Sequence, residues 1–183
     1  MSIDNRTSFL RKVRGSLIGA GVLLGVDIVV YGSFLFSIFV GPIWLLAAIV
    51  RAIVRRGDWR ASVWRVVIPL ITLVIVLSNA WLQSRVAQAH AQEIIEASKQ
   101  YQATNGVYPK TLDELVPEYL GSVPRAKYAL LGEFLYWECG DRLVTTCVRS
   151  GADKGQHILM WVSTPPFGRP YYDFEQARWG YLD

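Results

Sequence analysis

In one stretch of the chain, residues 64–101, an uncharged apolar run passes directly into a polar helix-forming run, and this junction constrains the fold more than any other feature. Residues 66–77 are apolar except for Thr72, and Ser78, Asn79, Ala80, Trp81 and Leu82 extend the uncharged run to 17 residues. At about 1.5 Å per residue, that length nearly crosses a hydrocarbon layer of roughly 30 Å. Trp64 and Trp81 stand at the two ends, where an indole keeps its ring in the interfacial layer and its N–H in water. From Gln83 the composition turns to Ala, Gln, Glu, Arg and Lys, with no glycine or proline before Gly106. Such a run favours helix. Ile94, Ala97, Ser98 and Tyr101 fall on one face, so the spacing predicts a helix that leaves a membrane and then lies on a second layer.

The charge pattern supports the same picture. Residues 1–65 hold nine Lys/Arg against three acids, and residues 66–183 hold ten against twelve. The net charge of +4 therefore comes from the flanks of apolar segments. It reports topology, and no nucleic-acid partner is expected. Arg6, Arg11, Lys12 and Arg14 precede an apolar run over residues 16–50, and Arg51, Arg55, Arg56, Arg60 and Arg65 follow it. Short basic segments stay in the cytoplasm, so this run starts and ends on one side. The expectation is a basic cytoplasmic terminus (1–15), a transmembrane hairpin (16–54), a basic cytoplasmic loop (55–65), an outward span (66–82) and an exported domain (83–183). The hairpin turns either near Tyr31-Gly32-Ser33 or at Gly41-Pro42, with Arg51 reaching toward the headgroups. A secretory signal peptide is not expected, because the apolar run is too long and no small-residue cleavage site ends it. Membrane lipids are thus one partner. Asp27 lies within the first apolar segment, where an ionisable group marks a polar contact to another helix or a proton-linked site.

The exported part reads as the long helix followed by a small sheet. Asn105-Gly106 supplies a left-handed helix terminus, and Val107-Tyr108-Pro109 leaves it extended. Thr111-Leu112-Asp113-Glu114 has the form of a capping box, in which the Thr111 hydroxyl accepts from the Glu114 N–H while the Glu114 carboxylate reaches back. Beyond Lys127, aromatic and β-branched runs predict strands over 128–131, 133–137, 143–148, 157–162, 171–174 and 179–182, separated by turns at Gly140-Asp141, at 150–155 and at 164–168. An antiparallel sheet covered by the face around Ile94 and Tyr101 makes a two-layer α+β domain.

Several of these residues carry a family resemblance. A long helix ending in Tyr101-x4-Gly106-x-Tyr108-Pro109, then Thr111-Leu112-x-Glu114-Leu115-Val116-Pro117-x-Tyr119-Leu120-x-x-Val123-Pro124, resembles the type IV pilins and especially the major pseudopilins of type II secretion. Ser150-Gly151-Ala152-Asp153, before a strand ending in Trp161, is similar to a loop in those pseudopilins. The resemblance covers roughly residues 86–162. It implies a pilin-like domain on a membrane anchor of about three spans, placed in a bacterial inner membrane with the domain in the periplasm. Its partners would be other membrane or pilin-like subunits. It implies no catalysis and no cofactor. In the family a loop matching Ser150 through Gln156 binds calcium; here it offers only Asp153, short of the several carboxylates that calcium takes. Family members also begin with a cleaved basic leader followed by a glutamate within the span. The span at 66–82 has neither, so the resemblance implies a membrane-fixed relative that displays a pilin-like surface and does not polymerise.

Other candidates for chemistry are few. Cys139 and Cys147 are the only cysteines, and an oxidising compartment permits a disulfide between them. A tight hairpin at Gly140-Asp141 would set them out of register, so a bridge requires a wider loop or a bulge. His90 lies on the helix stalk and His157 opens a strand, neither beside a nucleophile. Glu93 and Glu96 read as a solvated face, with Glu96 near Lys99. Tyr171, Tyr172, Phe174, Trp179 and Tyr181 make an aromatic C-terminal segment, mostly core, with one or two rings on a sheet edge able to bind a partner. The leading functional expectation is a non-enzymatic envelope-assembly subunit, as of a type IV pilus or type II secretion system. A membrane-tethered periplasmic sensor or ligand-binding module, or a subunit of an unrelated membrane complex, is the alternative, ahead of an enzyme.

Overall fold

The computed structural model describes residues 3–54, 59–130, 132–140, 155–163 and 168–182. The chain divides into two compact units, Met1–Trp81 and Leu82–Asp183. Among the described residues, three helices are long and apolar enough to cross a membrane, over Val13–Val30, Leu35–Val54 and Ser62–Asn105.

In the first unit, α1 (Ile3–Leu24) widens into a π-helical turn at Gly25–Tyr31, and α2 (Leu35–Val54) follows. The reversal falls at Gly32, whose φ of 56° only glycine adopts freely, and Ser33, while Gly41 and Pro42 lie inside α2. Both helices use glycine for close approach. A Cβ on Gly19 would meet the Trp44 ring at 3.3 Å, and one on Gly41 would meet Leu73 Cδ2 at 2.4 Å.

The helix α3 (Trp59–Asn105) is continuous for 47 residues and runs through both units. It ends where the Gly106 N–H donates to the Gln102 carbonyl at 2.8 Å with φ of 79° at the glycine. In the second unit, Ala87, Ala91, Ile94, Ile95 and Ala97 form its buried stripe. Three of these are alanines, which let the sheet approach the helix axis. The stripe packs on Leu159, Trp161, Tyr172 and Phe174, with Leu112, Leu115 and Leu120 closing one side.

The sheet is antiparallel, in the order β1 (Leu135–Glu138), β2 (His157–Met160), β3 (Arg169–Asp173) and β4 (Arg178–Leu182). Alternation gives it a second apolar face, where Cys139, Ile158, Met160, Tyr171 and Leu182 cluster with Trp137. β2 is therefore buried on both faces, and Ile158 and Leu159 are both 0 % exposed.

Two expectations are corrected. Residues 128–130 form no strand; their loop closes on itself through the Lys127 N–H donating to the Gly132 carbonyl at 3.1 Å. The turn expected at Gly140-Asp141 passes outside the described residues from Asp141 on, as does the strand expected over 143–148. β1 pairs with β2, Glu138 opposite His157, and the ladder continues through the Cys139 N–H to the Gln156 carbonyl at 2.7 Å. The capping box at Thr111 does not form: its side chain makes no cap bond. The Glu114 carboxylate reaches one residue further, accepting from the Lys110 N–H at 3.1 Å and the Tyr101 hydroxyl at 3.2 Å. A tyrosine on the neighbouring helix thus competes with the local cap.

Candidate functional site

The aromatic C-terminal segment is split by the pleat. Tyr171, Tyr172 and Phe174 are 6 %, 5 % and 2 % exposed, and this burial removes them as partner-binding residues. Tyr172 and Phe174 face α3, and Tyr171 fills the opposite face. Trp179 and Tyr181 on the terminal strand of the sheet remain 42 % and 59 % exposed. Trp179 is held edge-on by Trp161 and Tyr172, with ring centroids at 5.8 Å and 5.1 Å. The hydroxyl end of Tyr181 lies over Gly168. The edge therefore presents two aromatic rings supported from behind, beside strand groups that no further strand pairs among the described residues.

Asp27 serves the chain's own hairpin. It is 0 % exposed, and its carboxyl oxygens accept from the Phe36 N–H at 2.9 Å and the Ser37 N–H at 2.7 Å, at the start of α2. Its carbonyl accepts from the Gly32 N–H and from the Ser33 N–H at 3.0 Å. A helix start at membrane depth leaves amides that water cannot reach, and a residue about ten positions earlier supplies their acceptors. The polar contact to another helix expected of Asp27 is thus made within the chain, as a cap on the start of α2.

Two arrangements had no signal in the sequence. His157 is bonded twice to Glu175: its N–H donates to Oε2 at 2.7 Å and its Nδ1 lies 2.8 Å from Oε1. The imidazole sits against the rings of Tyr108 and Tyr136, at 5.3 Å and 6.0 Å. The pair orients the ring and ties β2 to the β3–β4 turn. The other is Lys127, 2 % exposed, whose Nζ donates to the Ser163 carbonyl.

Burial pushes the Lys127 ammonium down from 10.5 to about 8. The folded chain thus releases this proton before the unfolded chain does, and stability rises with pH between about 8 and 10.5, with no slope from this group below that window. Tyr136 acts oppositely. Burial, with Glu175 nearby, raises its phenol above 10.0, so stability falls as pH climbs past that value. Urea unfolding across this range should show a rising limb from pH 8 that Lys127→Met abolishes, with the variant more stable at pH 7 by of order 2 kcal/mol. An identical limb in the variant would place its origin elsewhere.

A groove of about 500 Å³ lies between the Leu112–Leu115 turn and β1, lined by Thr111, Asp113, Arg125, Glu133, Phe134 and Tyr136. Its floor is aromatic and its rim carries the Arg125–Glu133 pair at 3.9 Å. His90 Nδ1 lies 2.7 Å from the Arg125 carbonyl, so His90 straps a loop to the stalk. Glu93 and Glu96 are exposed, and Lys99 lies over the Tyr172 ring at 5.6 Å. Cys139 is buried at the end of β1; Cys147 and Asp153 lie outside the described residues. Among the described residues no three His, Cys, Asp or Glu side chains are placed to hold a metal. No protein-family model, curated protein or solved structure matches the chain.

Proposed function

We propose that this is a non-enzymatic, membrane-anchored interaction protein. Its apolar helices hold it in a bacterial inner membrane, and residues 83–183 form a periplasmic, pilin-like display domain. Its role is that of an accessory or structural subunit of an envelope assembly such as a type IV pilus or type II secretion system. The observation that supports this reading is the continuity of α3: one helix carries the uncharged run at 66–82 and then, without a break, the stripe that packs on an antiparallel sheet. The docking surface is the β4 edge, where Trp179 and Tyr181 have the character of interface anchors, each worth about 1–2 kcal/mol when truncated.

Crosslinking and mass spectrometry on native membranes should recover pilin-like or secretion-platform subunits attached near β4. Trp179→Ala combined with Tyr181→Ala should remove most of those crosslinks while the protein still melts cooperatively. Crosslinks to an unrelated membrane complex would leave the pilin likeness a matter of architecture alone. The groove at Phe134 and Tyr136 favours a second reading, a tethered ligand-binding module. That reading takes precedence if the same membranes yield no protein partner.

A further inference from the structure

We infer that the loop at residues 125–130 rests on the bilayer surface, inserting Tyr128 and Leu130 at the boundary between headgroups and acyl chains. The inference rests on the reading that residues 66–82 of α3 cross the membrane. Tyr128 and Leu130 are 70 % and 66 % exposed, while Lys127 and Ala129 between and beside them are 2 % and 6 % exposed. The loop therefore turns two large side chains outward and anchors itself with the alternate pair.

Its height along α3 is fixed at two points. The Arg125 carbonyl meets His90 Nδ1 at 2.7 Å, and the Tyr128 N–H donates to Gln83 Oε1 at 3.0 Å. Gln83 and His90 are seven residues apart, about 10 Å along a helix axis. From Arg125 to Tyr128 the chain thus descends the stalk toward the apolar run. The Lys127 N–H to Gly132 carbonyl bond closes the loop, and the Tyr128 backbone stands at its low end beside Gln83, its ring edge-on to His90 with centroids 6.5 Å apart. Gln83 follows Leu82 directly, about 1.5 Å further along the axis, and each interfacial layer is roughly 5–7 Å deep. The tip therefore falls inside that layer, where a tyrosine ring is favoured and a leucine leaves water. Gln83 is 6 % exposed, its side chain turned to the loop.

The test uses the full chain in liposomes of phosphatidylethanolamine and phosphatidylglycerol, with dansylalanine placed singly at positions 74, 107 or 130. Val74 lies in the apolar run and Val107 follows the end of α3; both are exposed on the protein, at 56 % and 63 %. The probe at 130 should emit to the blue of that at 107, be quenched by spin-labelled lipid, and be several-fold less quenched by aqueous iodide. If 130 behaves like 107 while 74 is quenched by lipid, the span stands and this inference fails. Iodide reaching both 74 and 130 would overturn the span and the inference together. Shielding of 130 from both quenchers would mean a protein covers the loop, which also overturns it.

Discussion

Replacing Asp27 with leucine is expected to destabilise the α1–α2 hairpin by about 3 kcal/mol or more, among the largest losses available to a single side chain in this protein. Two amides, those of Phe36 and Ser37, lose acceptors at 2.9 Å and 2.7 Å. Ser37 is 1 % exposed, so its amide cannot turn to water, and Phe36, though 42 % exposed, stands at the start of an apolar helix. An unmade bond in such surroundings costs the whole desolvation of the group, about 1–3 kcal/mol for each amide. Asp27→Asn keeps one acceptor oxygen and should lie between wild type and leucine. Unfolding of the full chain in detergent by SDS titration measures the order. Equal midpoints for all three proteins would mean that the cap contributes nothing.

The second large effect is expected at Gly180. A Cβ there would stand 2.2 Å from Tyr171 Cζ and 2.4 Å from Cε1, well inside contact. Gly180 is opposite Tyr171 in the β3–β4 ladder, so the tyrosine ring lies flat over the glycine and fills the space its missing side chain leaves. The ring is only 6 % exposed and cannot swing away without opening the face formed with Ile158 and Met160. Gly180→Val should therefore cost about 3 kcal/mol through overpacking. Tyr171→Ala should also be costly, through the cavity it leaves. The two changes should be far from additive, the double variant being more stable than the sum predicts by about 1–3 kcal/mol. Urea unfolding followed by near-ultraviolet circular dichroism would read this coupling. Strict additivity would show that ring and glycine do not share one space.

What could be read from the sequence was whatever local pattern determines. The continuity of α3 and its end follow from helix-forming composition and from Asn105-Gly106, while its start at Trp59 lies inside the segment read as a loop; the last two strands follow from alternation ahead of turn residues. The failures share a cause, which is competition from partners distant in sequence. The stretch Tyr128-Ala129-Leu130 has strand-like composition, yet its backbone is claimed by Gln83, 45 residues earlier, and by a loop closure at Gly132. Thr111 lost its box because Tyr101 and Lys110 hold Glu114. Of the aromatic residues proposed for the partner surface, composition could not say which would be buried; Trp179 lies opposite Tyr172 on the same face, and only its place with Tyr181 on the terminal strand leaves the two exposed. The His157–Glu175 pair spans 18 residues and matches no spacing rule. Lys127 sits beside a run of apolar residues, and its burial follows only from the Ser163 carbonyl brought to it by β2.

The Asp27 cap also bears on the timing of biogenesis. Each of its side-chain bonds closes a ring of only nine or ten positions, and its carbonyl bonds are shorter still. Contacts so local form quickly and need nothing later in the chain. The first two helices can therefore form as a finished pair, their turn already satisfied, while α3 is still being synthesised. The sheet has no such independence: among the described residues, β1 pairs with a strand that begins at residue 157, and β3 gains its outer neighbour only when residue 178 arrives.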